Sequence, residues 1–452
     1  MLLVRTTLLL GCALRLFAQS DSAQPDSSQA NSGDEYSGPA ILSRGETPAG
    51  KTVAPVAFRP YIGVSGIYNT GLTPVSVNST GQIPSTDSYG LEVNGGAYIY
   101  HVWKNTTLGL DYRGDYRHYS ITSYDGTDNV LSLVLTHRLT RRVTFTLREQ
   151  GGIYSLNNFL LSSPIGALDP NYLQSPQNDI YNNRVIFAGV SGDLTYSLSR
   201  RLSFSFGAGG NLVRRQSSAL YGMTGATARG DMQYRISRHT TIGVDYHFAH
   251  YEYTRGFGGS DIHSVGFDYS TQLSRHTQLS ASIGAARLES NSLTQVTLDP
   301  AVAALLGQTV GIQAAHRLNY APDMQARLGN TFHHSQFSVA YLNQVTPGNG
   351  IYLTSRNESG NASYSYSGVH HWNFGANGTY GRMTTLVQTA SAYTVYGGGA
   401  GITRDLAKGL HAVLHVNAFH NAIASTAAFK RTQYSATLGL SFSPGDVPLV
   451  LW

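Results

Sequence analysis

The sequence contains a single cysteine, few charged residues and no long apolar run. Cys12 is the one cysteine in 452 residues, and it lies in an N-terminal segment with the features of a cleaved signal. A mature chain without cysteine excludes disulfides, thiol catalysis and Cys-ligated metals. In an alternative interpretation, residues 9–12 form a lipoprotein cleavage box and Cys12 is lipidated.

Charged residues make up 13%, whereas soluble domains carry about 25%. Apolar runs of about 18 residues, which a transmembrane helix requires, are missing.

Common catalytic and binding motifs are also missing. The sequence has no G-x-S-x-G and no H-E-x-x-H, so we predict no enzyme, no catalytic residue and no cofactor. The pairs His333-His334 and His370-His371 are metal-ligand types, but adjacent strand residues face opposite ways and chelate poorly. We therefore predict no metal site. Basic residues are spread along the chain, which excludes a nucleic-acid patch.

The N terminus is typical of an exported protein. A basic start, MLLVR, precedes the apolar stretch TTLLLGCALRLFA, which predicts a signal peptide over residues 1–18. Its removal takes two arginines and lowers the net charge from +5 to about +3, with 29 basic against 26 acidic residues left. Residues 19–55 are rich in Ser, Asp, Pro and Gly and predict a flexible periplasmic lead-in.

Beyond the lead-in, apolar and polar residues alternate. VTFTLRE places its valine, phenylalanine and leucine on one strand face and its threonines and arginine on the other. LSFSFGAGGN, SVGFDYSTQL and LHAVLHVNAF repeat this pattern. Because strand side chains alternate between faces, these segments predict half-apolar antiparallel strands.

A short polar break recurs between the alternating runs, as tight hairpins require. It reads LTRRVTF, LSRRLSF, ISRHTTI and LSRHTQL in its clearest forms. The breaks lie near Arg141, Arg200, Arg238 and Arg275, with looser versions near Lys104, His334, His370 and Lys408. Eight tight turns imply nine hairpins and about eighteen strands, with sixteen as the alternative.

Short turns at one end and longer loops at the other are typical of an outer-membrane barrel. We predict an all-β fold, a transmembrane antiparallel up-and-down β-barrel over residues 56–443, with short periplasmic turns, long extracellular loops and a tail at 444–452. A barrel of this size encloses an aqueous channel. The alternative is a soluble β-sandwich or propeller, which would have to hide a large aromatic face in a dry core.

The last strand resembles a known signal. QYSATLGLSFS, ending at Phe442, resembles the terminal strand of bacterial outer-membrane β-barrels, which implies recognition by the barrel assembly machinery. The sequence departs from that pattern because PGDVPLVLW follows; either Phe442 closes the barrel or the tail carries the signal. The L-S/T-R-R/H turns and Tyr-rich strands resemble porins found beside exopolysaccharide genes. This resemblance implies an integral Gram-negative outer-membrane protein.

In the stretch LGLDYRGDYRHY, one face of the predicted strand carries mainly charged side chains. Asp111, Arg113, Asp115 and Arg117 alternate with leucine and tyrosine, so we predict that this row faces a water-filled lumen. Further lumen candidates on the inward phase of their strands are Arg148, Arg229, Asp231, Arg235, Asp245, His247, Asp268 and Arg327, together with Tyr98 and Tyr100 as sugar-stacking rings. Interleaved signs predict weak ion selectivity. The alternative is that these charges pair and brace the wall.

Two loops are candidates for narrowing the pore. LTQVTLDPAVAALLGQT predicts a two-turn helix capped by Asp299, with Pro300 at its first position and Gly307 at its end. The second candidate is the long loop at 157–181. The alternative for either loop is an external cap.

We predict a porin-like channel for passive passage of small polar solutes or an oligosaccharide. The first alternative is a structural or surface-interaction barrel with an occluded pore, and the second is an outer-membrane hydrolase. The predicted partners are outer-membrane lipid, the barrel assembly machinery and a polar solute or polysaccharide, without nucleic acid. The sequence leaves oligomerisation open.

Overall fold

The computed structural model describes residues 56–70, 87–121, 125–154, 184–216, 220–256, 258–297, 299–350, 353–386, 392–423, 426–445 and 447–448. The predicted signal peptide at 1–18, the lead-in at 19–55, the loop at 157–181 and most of the tail lie outside these residues.

The described chain is almost entirely β-strand. In chain order the strands are β1 Val56–Asn69, β2 Ser88–Val102, β3 Thr106–Tyr119, β4 Gly126–Arg138, β5 Val143–Tyr154, β6 Val185–Ser197, β7 Leu202–Arg215, β8 Gly222–Arg235, β9 Thr240–Thr254, β10 Gly259–Gln272, β11 Thr277–Thr297, β12 Val310–Thr331, β13 Ser335–Gly348, β14 Leu353–Val369, β15 Trp372–Thr385, β16 Tyr393–Ala407, β17 Leu410–Ile423, β18 Thr426–Phe442 and the short β19 Val447–Pro448. One helix, α1 Pro300–Leu306, lies between β11 and β12.

The strands close into a single antiparallel barrel. Each strand from β1 to β17 pairs with the next one in sequence, and residues 62–69 of β1 pair with residues 435–442 of β18. Closure gives every strand two neighbours and so removes the edges that hydrocarbon leaves unsatisfied. The predicted fold class, with eighteen long strands, is confirmed. Phe442 is the last residue of β18, and β19 extends the pairing along β1 through Ala57 and Phe58.

The eight predicted breaks are eight tight turns at one end of the barrel. They comprise residues 103–105, 139–142, 198–201, 236–239, 273–276, 332–334, 370–371 and 408–409. Side-chain chemistry explains the repeated Ser/Thr in four of them. The hydroxyl of Ser199 accepts hydrogen bonds from the backbone N–H groups of Arg201 and Leu202. Thr140, Ser237 and Ser274 accept from the residue two positions on in the same way, so the hydroxyl closes the turn.

Connections at the other end, called the loop end below, are mostly longer. Eight of the nine have four to thirty residues, and one has two. The β3–β4 connection is held by Asp125, which accepts a hydrogen bond from the Tyr119 N–H (2.7 Å) and contacts His118 Nδ1 (2.7 Å). The Tyr119 hydrogen bond lowers the pKa of the Asp125 carboxyl.

The outer face of the barrel is apolar. Large side chains of the outward phase are widely exposed all round the wall: Phe206 59%, Val265 55%, Ile283 66% and Leu438 65%. Such a continuous apolar surface is stable in lipid and not in water. No helix in the described part of the chain is long and apolar enough to cross a membrane.

The predicted helix is present in the β11–β12 connection. Asp299 Oδ1 accepts a hydrogen bond from the Ala301 N–H (2.8 Å), and Gly307 ends the helix at φ 66°. The two flanking strands have 21 and 22 residues, so α1 sits at the tip of a long hairpin with Leu305 87% exposed. Its role as a constriction stays a prediction, and a different segment, the end of the β13–β14 hairpin, enters the lumen.

Replacing Gly439 by Val should destabilise the barrel where β18 pairs with β1. A Cβ at Gly439 would lie 2.4 Å from both the Ser65 Cβ and the Val64 carbonyl oxygen of β1. We expect a loss of about 1–3 kcal/mol in the free energy of unfolding, measured by urea titration of the heat-modifiable band. Gly329→Val is the control, since a Cβ there meets no described atom within 4 Å. Equal losses in the two variants would contradict the explanation.

Candidate functional site

The strand register places the predicted lumen residues on one face of the sheet. Directly opposed residues on neighbouring antiparallel strands share a face. Asp111 lies opposite Tyr98 and Ser132, Arg229 opposite His247, and Asp268 opposite Ser282. Carried around the barrel, these pairings put all of the predicted residues on the face opposite the exposed apolar one. Their part in a solute pathway stays a prediction.

The β3 row is paired within the wall. Arg113 Nε donates to Asp111 Oδ2 at 3.1 Å. Arg117 is 6% exposed, with its Nε 2.9 Å from Asp115 Oδ1 and a second ion pair to Asp128 of β4. A buried guanidinium between two carboxylates fixes the positions of both strands. This geometry favours the bracing alternative for Arg117.

A second ion-pair group joins three strands. Asp193 of β6 receives Arg148 Nη1 of β5 at 2.6 Å and Arg229 Nε of β8 at 3.0 Å. A Cβ at Gly207 of β7 would lie 2.2 Å from Asp193 Oδ1. The glycine therefore leaves space for the side chains of Asp193 and Arg229. The sequence predictions included both arginines and missed Asp193, although VSGDLTYS places it in the inward phase of its strand.

A contrasting sector on β8, β9, β10 and β12 carries carboxylates. Asp231 lies opposite Asp245. Gly266 of β10 also lies opposite Asp245, and Asp268 is two residues further along the same strand. Asp323 lies opposite Gly284. Among the described residues no Lys or Arg is within ion-pair distance of these four. Asp323 was missed by the sequence analysis because it follows Pro322, where the alternating pattern is weak. The interleaved signs predicted from sequence are therefore divided into a braced arginine sector and an acidic sector.

The remaining predicted residues lie near these two sectors. Tyr98 and Tyr100 of β2 are stacked, with ring centroids 6.2 Å apart and planes at 13°. Arg235 is the last residue of β8, and Arg327 of β12 lies opposite Ser280 and Ala340. His333-His334 and His370-His371 lie in tight turns as predicted. The described residues contain no group of three or more His, Cys, Asp or Glu placed to hold a metal ion.

The segment that enters the lumen is the end of the β13–β14 hairpin, residues 345–350 and 353–355, called the tip below. The Thr354 N–H donates to the Tyr253 hydroxyl at 2.7 Å, and the two hydroxyls are also in contact. Ser260 Oγ lies 2.6 Å from Thr354 Oγ1. Tyr253 and Ser260 belong to β9 and β10, four to five strands away in the ladder. The tip therefore spans part of the lumen.

Gly350 and Thr354 of the tip have a positive φ, and their contacts hold the tip against the inner wall. Gly350 adopts φ 93°, and its carbonyl accepts a hydrogen bond from the Tyr221 N–H at 3.0 Å. Thr354, with φ 30°, is fully buried. Left-handed backbone at a threonine is costly and persists only where surrounding contacts fix it. The contacts with Tyr253 and Ser260 supply that restraint.

The inner wall beneath the tip is apolar. Val185, Phe187, Val213, Met223, Ala249, Tyr251, Ile262, Ala286 and Leu288 form one buried cluster on β6–β11, with Val345 and Leu386 packed against it. Their exposure is 9% or less. Apolar packing of the tip thus covers the loop-end part of the inner wall on β6–β11.

Comparisons with known proteins find structural likeness alone. No protein-family model and no curated protein sequence matches the chain. Solved structures of the outer-membrane porins OccK7 (OpdD) and OccK2 (OpdF, in complex with glucuronate) from Pseudomonas aeruginosa are 15% and 11% identical, with TM-scores of 0.41 and 0.42. Each comparison covers 86% of this chain and 98% of the other. Acinetobacter baumannii OccAB1 is 10% identical, over 86% and 96%, at TM-score 0.42.

The strand pairing and the two faces of the wall show which class of membrane protein this chain belongs to. A closed antiparallel barrel with an exposed apolar outer face and a charged inner face is built for lipid outside and water inside. This chain is an integral outer-membrane β-barrel of porin-like architecture.

Asp193→Asn should destabilise the wall because it leaves Arg148 and Arg229 without their carboxylate. We expect a loss of roughly 2 kcal/mol in the free energy of unfolding, below the cost for a fully buried pair because Arg148 is 24% exposed. Urea titration in detergent measures the loss. Asp268→Asn is the matched control, since an amide oxygen still accepts the hydrogen bond from Ser282. Indistinguishable variants would show that the three-strand ion pairs do not stabilise the barrel.

Proposed function

We propose that the barrel is a channel for passive passage of small polar solutes, and that the tip controls its loop end. The observation that carries the proposal is the division of the inner wall. Arg113, Arg117, Arg148 and Arg229 form ion pairs with carboxylates of the wall. In contrast, no Lys or Arg of the described wall lies within ion-pair distance of Asp231, Asp245, Asp268 or Asp323. A wall that only needed bracing would pair its charges throughout.

The unpaired carboxylates set the expected preference. Carboxylates that line a wet pore attract cations and the cationic parts of solutes. We therefore propose a cation preference in place of the weak selectivity expected from sequence. The stacked pair Tyr98 and Tyr100 offers an aromatic surface for sugar rings, which is the support for oligosaccharide passage and the exopolysaccharide association. Membrane lipid and the barrel assembly machinery remain the proposed partners of the outer face and of β18.

The structural alternative has an observation of its own. The tip packs on a cluster with 9% exposure or less, as a permanent plug would. A plug and a gate differ in whether the contacts with Tyr253 can be broken without unfolding the barrel. No catalytic group is part of either proposal.

Tyr253→Phe should open the channel more often. The substitution removes the hydroxyl that accepts from the Thr354 N–H and contacts Thr354 Oγ1 and the Pro347 carbonyl oxygen, and it leaves the ring packing in place. We expect a several-fold rise in open probability in planar-bilayer recordings of the refolded barrel. Tyr341→Phe is the matched control, because its hydroxyl bonds to Glu358 away from the tip contacts.

A disulfide tests the same contact in the opposite direction. Ser260→Cys with Thr354→Cys replaces two oxygens 2.6 Å apart, so the sulfurs can bond without large backbone movement. We expect the oxidised variant to conduct less and to recover when reduced. A folded, heat-modifiable barrel that never conducts, in the native form or as Tyr253→Phe, would refute the channel and leave the plugged barrel.

Neutralising the acidic sector should reduce cation preference. In the triple variant Asp231→Asn, Asp245→Asn, Asp268→Asn we expect the permeability ratio of K⁺ to Cl⁻ to fall several-fold, because three of the four carboxylates are neutralised at nearly constant volume. Reversal potentials under a KCl gradient measure this ratio. Asp111→Asn, at a carboxylate already paired with Arg113, is the comparison and should lower the ratio less. An unchanged ratio in the triple variant would place the ion path elsewhere.

A further inference from the structure

The ladder between β12 and β13 is interrupted at the loop end of the barrel. β12 pairs with β13 only between residues 324–331 and 336–343, although β11 and β12 stay paired as far as Thr297 and Val310. β13 and β14 likewise stay paired as far as Gly348 and Leu353. Within the described strands, the β12–β13 ladder therefore does not extend to residues 310–323 of β12. We call the boundary above the Met324–Asn343 pair the seam.

Above the seam the wall overlaps itself. Val345 and Thr354 belong to the outward phase of β13 and β14, yet Thr354 bonds to Tyr253 and Ser260 on the inner face of β9 and β10. Asn319, on the inner face of β12, donates to the Leu386 carbonyl oxygen at 3.0 Å. The outer face of one part of the sheet thus lies against the inner face of another.

The overlap is held by packing in place of a ladder. Val345 and Leu386 lie against the apolar cluster that contains Ile262 and Leu288. The polar links include the backbone hydrogen bond from Tyr221 to Gly350 and the side-chain contacts of Tyr253, Ser260 and Asn319. A boundary without backbone pairing separates at lower cost than any ordinary strand pair, since no row of backbone groups loses its partner. The seam therefore separates more easily than a fully paired ladder.

The seam begins at the edge of the apolar band. The last ladder residue, Met324, lies opposite Ile283 of β11, which is 66% exposed. Further along the outer face of β11 come Arg287 and Glu289, which form an ion pair. Eight paired residues in a strand tilted by about 40° reach roughly 20 Å above the turns, near the top of a band about 25 Å tall. The seam therefore faces the headgroup region of the outer leaflet.

We propose that the seam is a lateral gate, through which the acyl chain of an outer-leaflet amphiphile with an anionic headgroup reaches the apolar inner wall. When the tip moves away, the surface now covered by Val345 and Leu386 becomes the acyl-chain site. Arg356, on the outer face of β14 and 39% exposed, lies beside the seam with its Nε 3.0 Å from Asn343 Oδ1. Glu358 is 4.0 Å from it, so the guanidinium keeps donors for a phosphate or carboxylate.

Fluorescence quenching by brominated lipid tests the gate. Trp103, Trp372 and Trp452 are replaced by Phe, and a single Trp is placed at Leu386 in the refolded barrel, in vesicles of phosphatidylglycerol brominated on its acyl chains. Val244→Trp on the lipid face, where the native residue is 45% exposed, sets full quenching. Ser132→Trp on the inner face sets the background. We expect Leu386→Trp to be quenched at least half as strongly as Val244→Trp.

The Ser260→Cys, Thr354→Cys disulfide then serves as the lock. Oxidation should lower the quenching of Leu386→Trp to the Ser132→Trp background, and reduction should restore it. Background quenching in the unlocked barrel, or quenching that the lock does not change, would overturn the gate. Val345→Trp replaces Leu386→Trp if the latter does not give a heat-modifiable barrel. The readout requires no conductance, so it can succeed or fail independently of the proposed channel.

The headgroup part of the proposal has its own comparison. Arg356→Gln should reduce quenching by brominated phosphatidylglycerol several-fold and leave quenching by brominated phosphatidylcholine unchanged, because only the former carries net negative charge. Free phosphate at millimolar concentration should not compete if the acyl chain supplies the binding energy. Equal quenching by both lipids in the native barrel, or full competition by phosphate, would overturn recognition of an anionic amphiphile.

Discussion

Backbone hydrogen bonding in a medium without water is the constraint on which the rest of this structure depends. Hydrocarbon offers no donor or acceptor, so every strand within it needs two neighbours. The chain meets this requirement by pairing each strand with the next and by closing β1 on β18. The tight turns, the alternation of side chains and the charged interior all follow from that closed ladder.

Closure also explains why the inner wall can carry so much charge. Ion pairs such as Arg117 with Asp115 and Asp128 connect neighbouring strands at fixed height, and Asp193 joins three strands at once. These side chains stabilise the register of the strands that carry them. The acidic sector has no such role within the described wall, which is why we assign it to solutes.

The loop end follows a different principle from the rest of the barrel. There β13 leaves β12, the tip folds inward and apolar packing replaces backbone pairing. Headgroups and water satisfy the backbone groups that hydrocarbon would not, so the ladder is free to end at this height. The same departure produces the narrowed lumen and the seam. A channel gate and a lateral gate are therefore two consequences of one structural feature, and they are separable by experiment.

The sequence by itself determined the strand pattern, the eight turns and the two faces of the wall. These depend on neighbouring residues: the alternation has a period of two, and the Ser199 hydroxyl closes its turn through N–H groups two and three positions on. It also determined helix α1, through the Asp299 cap. Only the tertiary structure decided which charges pair and which loop enters the lumen. Asp193 and Arg229 meet across 36 positions and Tyr253 and Thr354 across 101, and such contacts depend on barrel closure, which no local pattern encodes.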